Sequence, residues 1–103
     1  MMDAAISRNG VPIRLTEERW FHVVETHDEM AGRYDEVLSA IEVPDYIIQG
    51  YRDALVALKT IGKKKFMAVI YKEIGKKDGF VITAFMTNKV RMEKEVILWQ
   101  KKS

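Results

Sequence analysis

Two histidines, His22 and His27, are the side chains in this sequence best suited to move protons near neutral pH. Each has a structural alternative. His27 lies on the apolar stripe of a predicted helix, where a buried, hydrogen-bonded histidine is the simpler interpretation. His22 has polar neighbours, which agree equally well with plain surface exposure. The chemistry that these two residues could supply is general acid–base catalysis.

Other chemistries find little support. The chain has no cysteine, which excludes disulfides, thiolate metal sites and cysteine nucleophiles. A Gly-rich phosphate loop, a paired-histidine metal motif and a Gly-x-Ser-x-Gly elbow are absent from the sequence. With only two histidines a structural zinc site is not expected, and we predict neither a bound metal nor a cofactor.

Polar residues inside apolar segments are the remaining candidates: Lys59, Lys72, Thr83 and Thr87. Strict strand alternation places Thr83 and Thr87 on one face, together with Val81. Whether they lie beside Lys72 or on the opposite face depends on a hairpin register that the sequence leaves open. Threonine is an ordinary strand residue, so a purely structural role is the alternative for both.

Two helices and four strands must position these side chains. Thr16 followed by two glutamates predicts an N-cap and a helix start, and Pro44 ends a second short helix over residues 34–43. Residues 46–49, 54–61, 66–74 and 80–87 are rich in β-branched and aromatic residues and predict strands. Short glycine-bearing separators favour hairpins, while residues 90–99 fit a helix or a strand.

The predicted fold is therefore α+β, with two N-terminal helices packed on a four-stranded antiparallel sheet. The 103 residues suit a single domain, which we assign to residues 15–103, with residues 1–14 as an N-terminal extension. No apolar run approaches the roughly 20 residues that span a bilayer. The N-terminus also lacks the apolar stretch of a signal peptide. We expect a cytoplasmic protein that does not bind a membrane.

Charge is distributed unevenly along the chain. Residues 1–50 carry 4 Lys/Arg and 10 Asp/Glu, whereas residues 51–103 carry 13 and 5. A basic C-terminal half could bind RNA, because lysines brought to phosphates release condensed counterions. The alternative is that the two halves simply attract each other.

The order and spacing of several segments resemble one known family. These are RWFH at 19–22 followed by His27, IEVPD at 41–45, VIYK at 69–72 and GFVITAF at 79–85. Together they resemble the phage-associated nuclease-like family of the barnase, colicin and RelE-type (BECR-fold) ribonuclease superfamily. The likeness extends from about Leu15 to Trp99.

This resemblance implies metal-independent RNA cleavage by a toxin or phage-related ribonuclease, with RNA and a cognate inhibitor protein as partners. The implied catalytic residues are His22, His27, Lys72 and Thr83. Arg19 also matches the family pattern, and we predict that Arg19, Arg52, Lys59, Thr87 and Lys89 bind RNA. The competing hypothesis is a non-catalytic RNA-binding or protein-interaction module of the same fold.

Overall fold

The computed structural model describes residues 2–102, which form two α-helices and one seven-stranded sheet. The helices are α1 (Glu17–Thr26) and α2 (Tyr34–Glu42), and one-turn 3-10 helices lie at Asp28–Met30 and Met92–Lys94. The strands are β1 (Met2–Ile6), β2 (Pro12–Thr16), β3 (Tyr46–Gln49), β4 (Leu55–Gly62), β5 (Lys65–Glu73), β6 (Gly79–Thr87) and β7 (Ile97–Gln100). Their order across the sheet is β1-β2-β6-β5-β4-β3-β7.

The helices begin and end close to where the sequence predicts. The Thr16 side chain caps α1 by accepting a hydrogen bond from the backbone N–H of Arg19 at 3.0 Å. Helix α2 ends at Glu42, two residues before Pro44. The rings of Trp20 and Tyr34 meet edge to face with centroids 5.4 Å apart, which joins the two helices.

The predicted four-stranded antiparallel sheet is wrong, because the sheet has seven strands and is mixed. Strands β3 to β6 form the expected antiparallel meander. The hairpin β1–β2 joins it through a parallel pairing in which Ile13 faces Gly79 and Arg14 faces Phe80. The sequence signal for β2 is short: Ile13 and Leu15 are buried and alternate with polar residues.

Residues at both ends of the chain therefore belong to the sheet. The segment 1–14, set apart above as an extension, contains β1 and the start of β2. Within residues 90–99, whose structure the sequence leaves open, β7 begins at Ile97 and pairs antiparallel with β3. The sheet thus has strand β1 at one edge and strand β7 at the other.

A main core fills the space between the two helices and one face of the sheet, which we call the helix face. Its largest buried members include Tyr71, Ile13, Leu15, Met30 and Ile41. A smaller cluster lies on the opposite face. None of the helices in residues 2–102 has the length and apolar character needed to cross a membrane.

Gly79 lies where the N-terminal hairpin meets the meander. A Cβ atom at this position would lie 2.6 Å from the Cδ1 atom of Ile13 and 2.6 Å from the backbone oxygen of Lys72. Both distances are far shorter than real Cβ contacts. Glycine is therefore required for β2, β6 and β5 to approach one another here.

Candidate functional site

Lys72 and Thr83 lie on the face of the sheet that carries no α-helix, which we call the helix-free face. Register pairs Lys72 with Phe80 and Ile70 with Thr83 across the β5–β6 ladder. Side chains of directly opposed residues point to the same side of a sheet. The buried neighbours Val69 and Tyr71 point to the helix face, so Lys72 and Thr83 point away from the helices.

A β-bulge in β6 produces this arrangement. The register shifts between Ile70 and Tyr71, because Tyr71 pairs with Val81 while Ile70 pairs with Thr83. Val81 is therefore buried on the helix face, and Thr83 lies on the other side. The alternation that placed Val81 and Thr83 on one face fails at Ile82, the extra residue.

Two arginines, one from β2 and one from α1, lie beside the start of β6. Arg14 pairs with Phe80 across β2–β6, and Arg19 of α1 lines the same small cavity of about 170 Å³. The Arg14 guanidinium donates to both carboxylate oxygens of Asp78, at 2.7 and 3.1 Å. This pairing lowers the pKa of Asp78 below its ordinary value.

The imidazole of His27 lies beside the end of β6. The His27 ring packs against Phe85 with centroids 5.3 Å apart and planes inclined by 33°. Phe85 pairs with Ala68, which puts its ring on the helix-free face between Thr83 and Thr87. His27 is half-buried at the C-terminal end of α1, so it combines a packed ring with access to solvent.

Glu29 is a candidate residue that the sequence analysis missed. Its Oε2 atom lies 3.9 Å from His27 Nδ1 and accepts a hydrogen bond from the backbone N–H of Met86 at 3.3 Å. Hydrogen bonding from its own backbone, then from Met86, and the nearby His27 hold the pKa of Glu29 below its ordinary value. Nothing in sequence spacing identifies Glu29, because its contacts depend on the unpaired outer edge of β6.

A groove of about 720 Å³ begins at Glu29 and runs past the end of β6. It is lined by Arg33 and Lys65 as well as by Thr87 and Asn88. Arg33 is held by Glu36, whose two carboxylate oxygens lie 3.3 and 3.1 Å from Nη1. The groove therefore offers one paired and one exposed cation beside the His27–Glu29 pair.

The other predicted residues lie elsewhere. Lys59 is on the helix face, where its Nζ donates to the backbone oxygen of Val43 at 3.0 Å. Arg52 is in the β3–β4 loop with its guanidinium over the neighbouring Tyr51 ring, 5.4 Å from the centroid. Lys89 follows β6 and donates its backbone N–H to Thr87 Oγ1 at 3.1 Å.

His22 does not join His27. Its side chain is 59% exposed, and its Nδ1 lies 3.7 Å from Glu25 Oε1 on the same helix. Within residues 2–102, Glu25 is the charged residue that His22 contacts. The structure therefore brings a single imidazole to the end of β6.

The described polar residues form a track along β6 rather than one compact cluster. From Phe80, which pairs with Lys72, to Phe85, which packs against His27, the strand covers roughly 16 Å at about 3.3 Å per residue. Arg14, Arg19 and Lys72 mark one end of this track, Thr83 its middle, and His27 with Thr87 the other end. Across residues 2–102, no three His, Asp or Glu side chains come together as a metal site would require.

Comparison with known proteins adds nothing to this geometry: no family model, no curated protein and no solved structure matches the chain. The resemblance described above therefore rests on the sequence segments that carry it.

Proposed function

We propose that the helix-free face binds single-stranded RNA along β6 and that His27 cleaves it without a metal ion. One observation carries this proposal. Lys72, Thr83 and Phe85 lie on the same face of the sheet, and the His27 ring packs against Phe85. Phosphates need cations and hydroxyl donors, and the cleavage step needs a proton acceptor. The track supplies all three in linear order, which suits an extended strand.

In the proposed reaction, His27 takes the proton of the ribose 2′-hydroxyl as that oxygen attacks the adjacent phosphorus. The bond from phosphorus to the 5′-oxygen breaks, and that oxygen leaves with a proton drawn from water. The products are a 2′,3′-cyclic phosphate and a free 5′-hydroxyl. Glu29, 3.9 Å from Nδ1, stabilises the imidazolium that forms.

The cations and the threonine have separate tasks in this scheme. Lys72 and Arg19 neutralise phosphate charge at the start of β6, where the arginine lines the cavity beside Phe80. Thr83 holds the phosphate that is to be cleaved, because its hydroxyl lies on the same face between the cations and the imidazole. The sequence resemblance supports a toxin or phage-related setting with an inhibitor protein as a second partner.

One observation favours a second candidate, a binding module without catalysis. His22 contacts Glu25 of its own helix and does not join His27, so the two histidines do not form an acid–base pair. A binding module would keep the cation and aromatic surface and would not need the proton chemistry of His27.

One set of samples tests both candidate functions, the ribonuclease and the binding module. Labelled single-stranded RNA is titrated at increasing salt and incubated with excess chelator, and the products are examined for a cyclic phosphate end. We expect binding that weakens log-linearly with salt and cleavage that persists in chelator. Binding without cleavage selects the binding module, and no binding at low salt refutes both candidates.

A further inference from the structure

The chain covers part of the helix-free face with its own side chains. The segment between β6 and β7 packs Val90 and Met92 against the smaller cluster on this face, which includes Phe66. Phe80, at the start of β6, is half-buried and is a member of neither core cluster. Aromatic side chains contribute most where they pack into a core or an interface. Packing within the core therefore does not account for the aromatic ring of Phe80.

The other two phenylalanines on this face already have a ring partner. Phe66 meets Tyr46 edge to face with centroids 6.2 Å apart, and Phe85 packs against His27 at 5.3 Å. Among residues 2–102, neither a second aromatic ring nor a cation lies over the ring of Phe80. This ring is therefore available to a planar group from outside the chain.

Phe80 lies between basic side chains. Across the two neighbouring ladders it pairs with Arg14 of β2 and with Lys72 of β5. Adjacent strands are about 4.8 Å apart, and directly opposed side chains point to the same face, so both cations stand beside the ring. Arg14 is paired with Asp78, whereas Lys72 and Arg19 make no ion pair within residues 2–102. Arg19 lines the same small cavity as Phe80, which gives the ring two unpaired cations as neighbours.

An aromatic ring beside unpaired cations matches the chemistry of one occupant. Single-stranded nucleic acid offers a flat base next to each phosphate, and proteins bind it by stacking bases on aromatic rings in a positively charged groove. An acidic protein segment would pair with the cations and would gain nothing specific from the ring. In duplex RNA the bases are paired and stacked on one another, so they do not reach such a ring. Unpaired bases are the group that fits.

We propose that Phe80 stacks one unpaired base of the RNA, while Lys72 and Arg19 hold phosphates beside it. This inference rests on the proposed binding of RNA along β6 and adds a base subsite to it. The subsite restricts the substrate to single strands. It lies at the end of the track opposite to His27, so the base bound there is not next to the phosphate that is cleaved.

RNA without bases tests this subsite on the unaltered chain. The first ligand is a single-stranded RNA of roughly six nucleotides, within the usual site size of such proteins. Its 2′-hydroxyls are methylated, which prevents cleavage during the titration. The second ligand is the same sugar–phosphate backbone without bases. We expect the dissociation constant of the parent chain to rise by at least about fivefold when the bases are removed, the lower end of one stacking contact.

Variants of Phe80 assign this effect to one residue. Phe80→Leu should weaken binding of the RNA that carries bases by at least about fivefold and leave binding of the base-free backbone unchanged. The slope of log affinity against log salt should stay the same, because no phosphate contact is lost. Phe80→Trp should retain the parent affinity. Phe21→Leu is the matched control, since Phe21 is 64% exposed on α1, and it should change neither titration. Circular dichroism checks that each variant is folded.

The failure of this subsite is distinguishable from the failure of RNA binding itself. If the parent chain binds neither ligand at low salt, RNA binding along β6 is refuted and the subsite with it. If the parent binds both ligands equally tightly, the subsite is overturned while RNA binding stands. The same conclusion follows if Phe80→Leu weakens binding of both ligands by the same factor, or of neither.

Discussion

Lys72 and Thr83 share one face of the sheet because β6 contains one residue more than a regular ladder allows. Without the bulge, Thr83 would pair with Val69, which is fully buried on the helix face. The extra residue, Ile82, therefore brings a hydroxyl and an ammonium group to the same surface. This relationship determines whether a polar track exists at all.

The lysines at positions 59 and 72 provide a matched test of that surface. Lys72→Met should reduce the slope of log affinity for RNA against log salt by about one, the value for one lost phosphate contact. Lys59→Met should leave this slope unchanged, since Lys59 lies on the helix face. Fluorescence titrations at four salt concentrations measure both slopes. Equal slopes in the two variants would remove Lys72 from the track.

His27→Phe separates the chemistry of His27 from its packing. Phenylalanine keeps an aromatic ring against Phe85 but cannot transfer a proton. We expect cleavage to fall by at least about a hundredfold, the usual contribution of a general acid–base group, with little change in melting temperature. Initial rates and thermal unfolding are measured on the same samples. His22→Phe is the control, and its cleavage rate should stay near that of the parent chain.

Glu29 should make the free energy of unfolding depend on pH in the acidic range. Its pKa is lowered in the folded chain, so its stabilisation is complete above the unfolded pKa and is lost as pH falls through the folded one. Glu29→Gln should therefore be less stable than the parent at pH 7. The difference should shrink below about pH 4, the range of ordinary glutamate titration. Urea unfolding at several pH values measures the stability difference between the variant and the parent. A difference that does not change with pH would contradict a lowered pKa for Glu29.

Two tyrosines should respond in opposite ways to loss of the hydroxyl. Tyr71 is fully buried, and among residues 2–102 its hydroxyl has no hydrogen-bond partner. Burial raises the pKa of this phenol, which stays neutral. Tyr71→Phe should be neutral or stabilising by up to about 1 kcal/mol, because an unsatisfied polar atom is removed.

Tyr34 is the matched partner for that measurement. Its hydroxyl donates to the backbone oxygen of Leu15 at 2.9 Å. Tyr34→Phe should cost roughly 0.5–1.5 kcal/mol of unfolding free energy. Urea unfolding of both variants gives the sign of each change in unfolding free energy. A destabilised Tyr71→Phe variant would show that the Tyr71 hydroxyl has a hydrogen-bond partner in solution.

Local signals in the sequence predict the helices and the central meander well. The Thr16 cap and Pro44 act within a few residues, and β-branched runs separated by glycine specify hairpins. The strands β1, β2 and β7 lack such signals, because each is short and because β2 and β7 pair with strands that are distant in the sequence. The sequence around Ile97 fits either a helix or a strand, and pairing with β3 is what makes it a strand.

The candidate site was predictable only in part, for the same reason. Lys72, Thr83 and His27 are visible as polar residues in apolar surroundings. Their common placement depends on the bulge at Ile82, and no rule of alternation reveals one extra residue. Glu29 acquires its role only through the unpaired edge of β6, which exists because β2 pairs with just the first two residues of that strand.

The close approach of β2 and β6 at Gly79 also has consequences for the order of folding. The meander closes through short loops, whereas the N-terminal hairpin is joined to it by contacts such as Ser7 with Glu73, which span 66 residues. Contacts at such separation pay a large loop-closure entropy and form late. Arg14, Arg19 and His27 reach β6 only when this joint closes. A refolding chain should therefore recover its β-sheet signal before it recovers RNA binding, and the delay measures the docking of β2 beside Gly79.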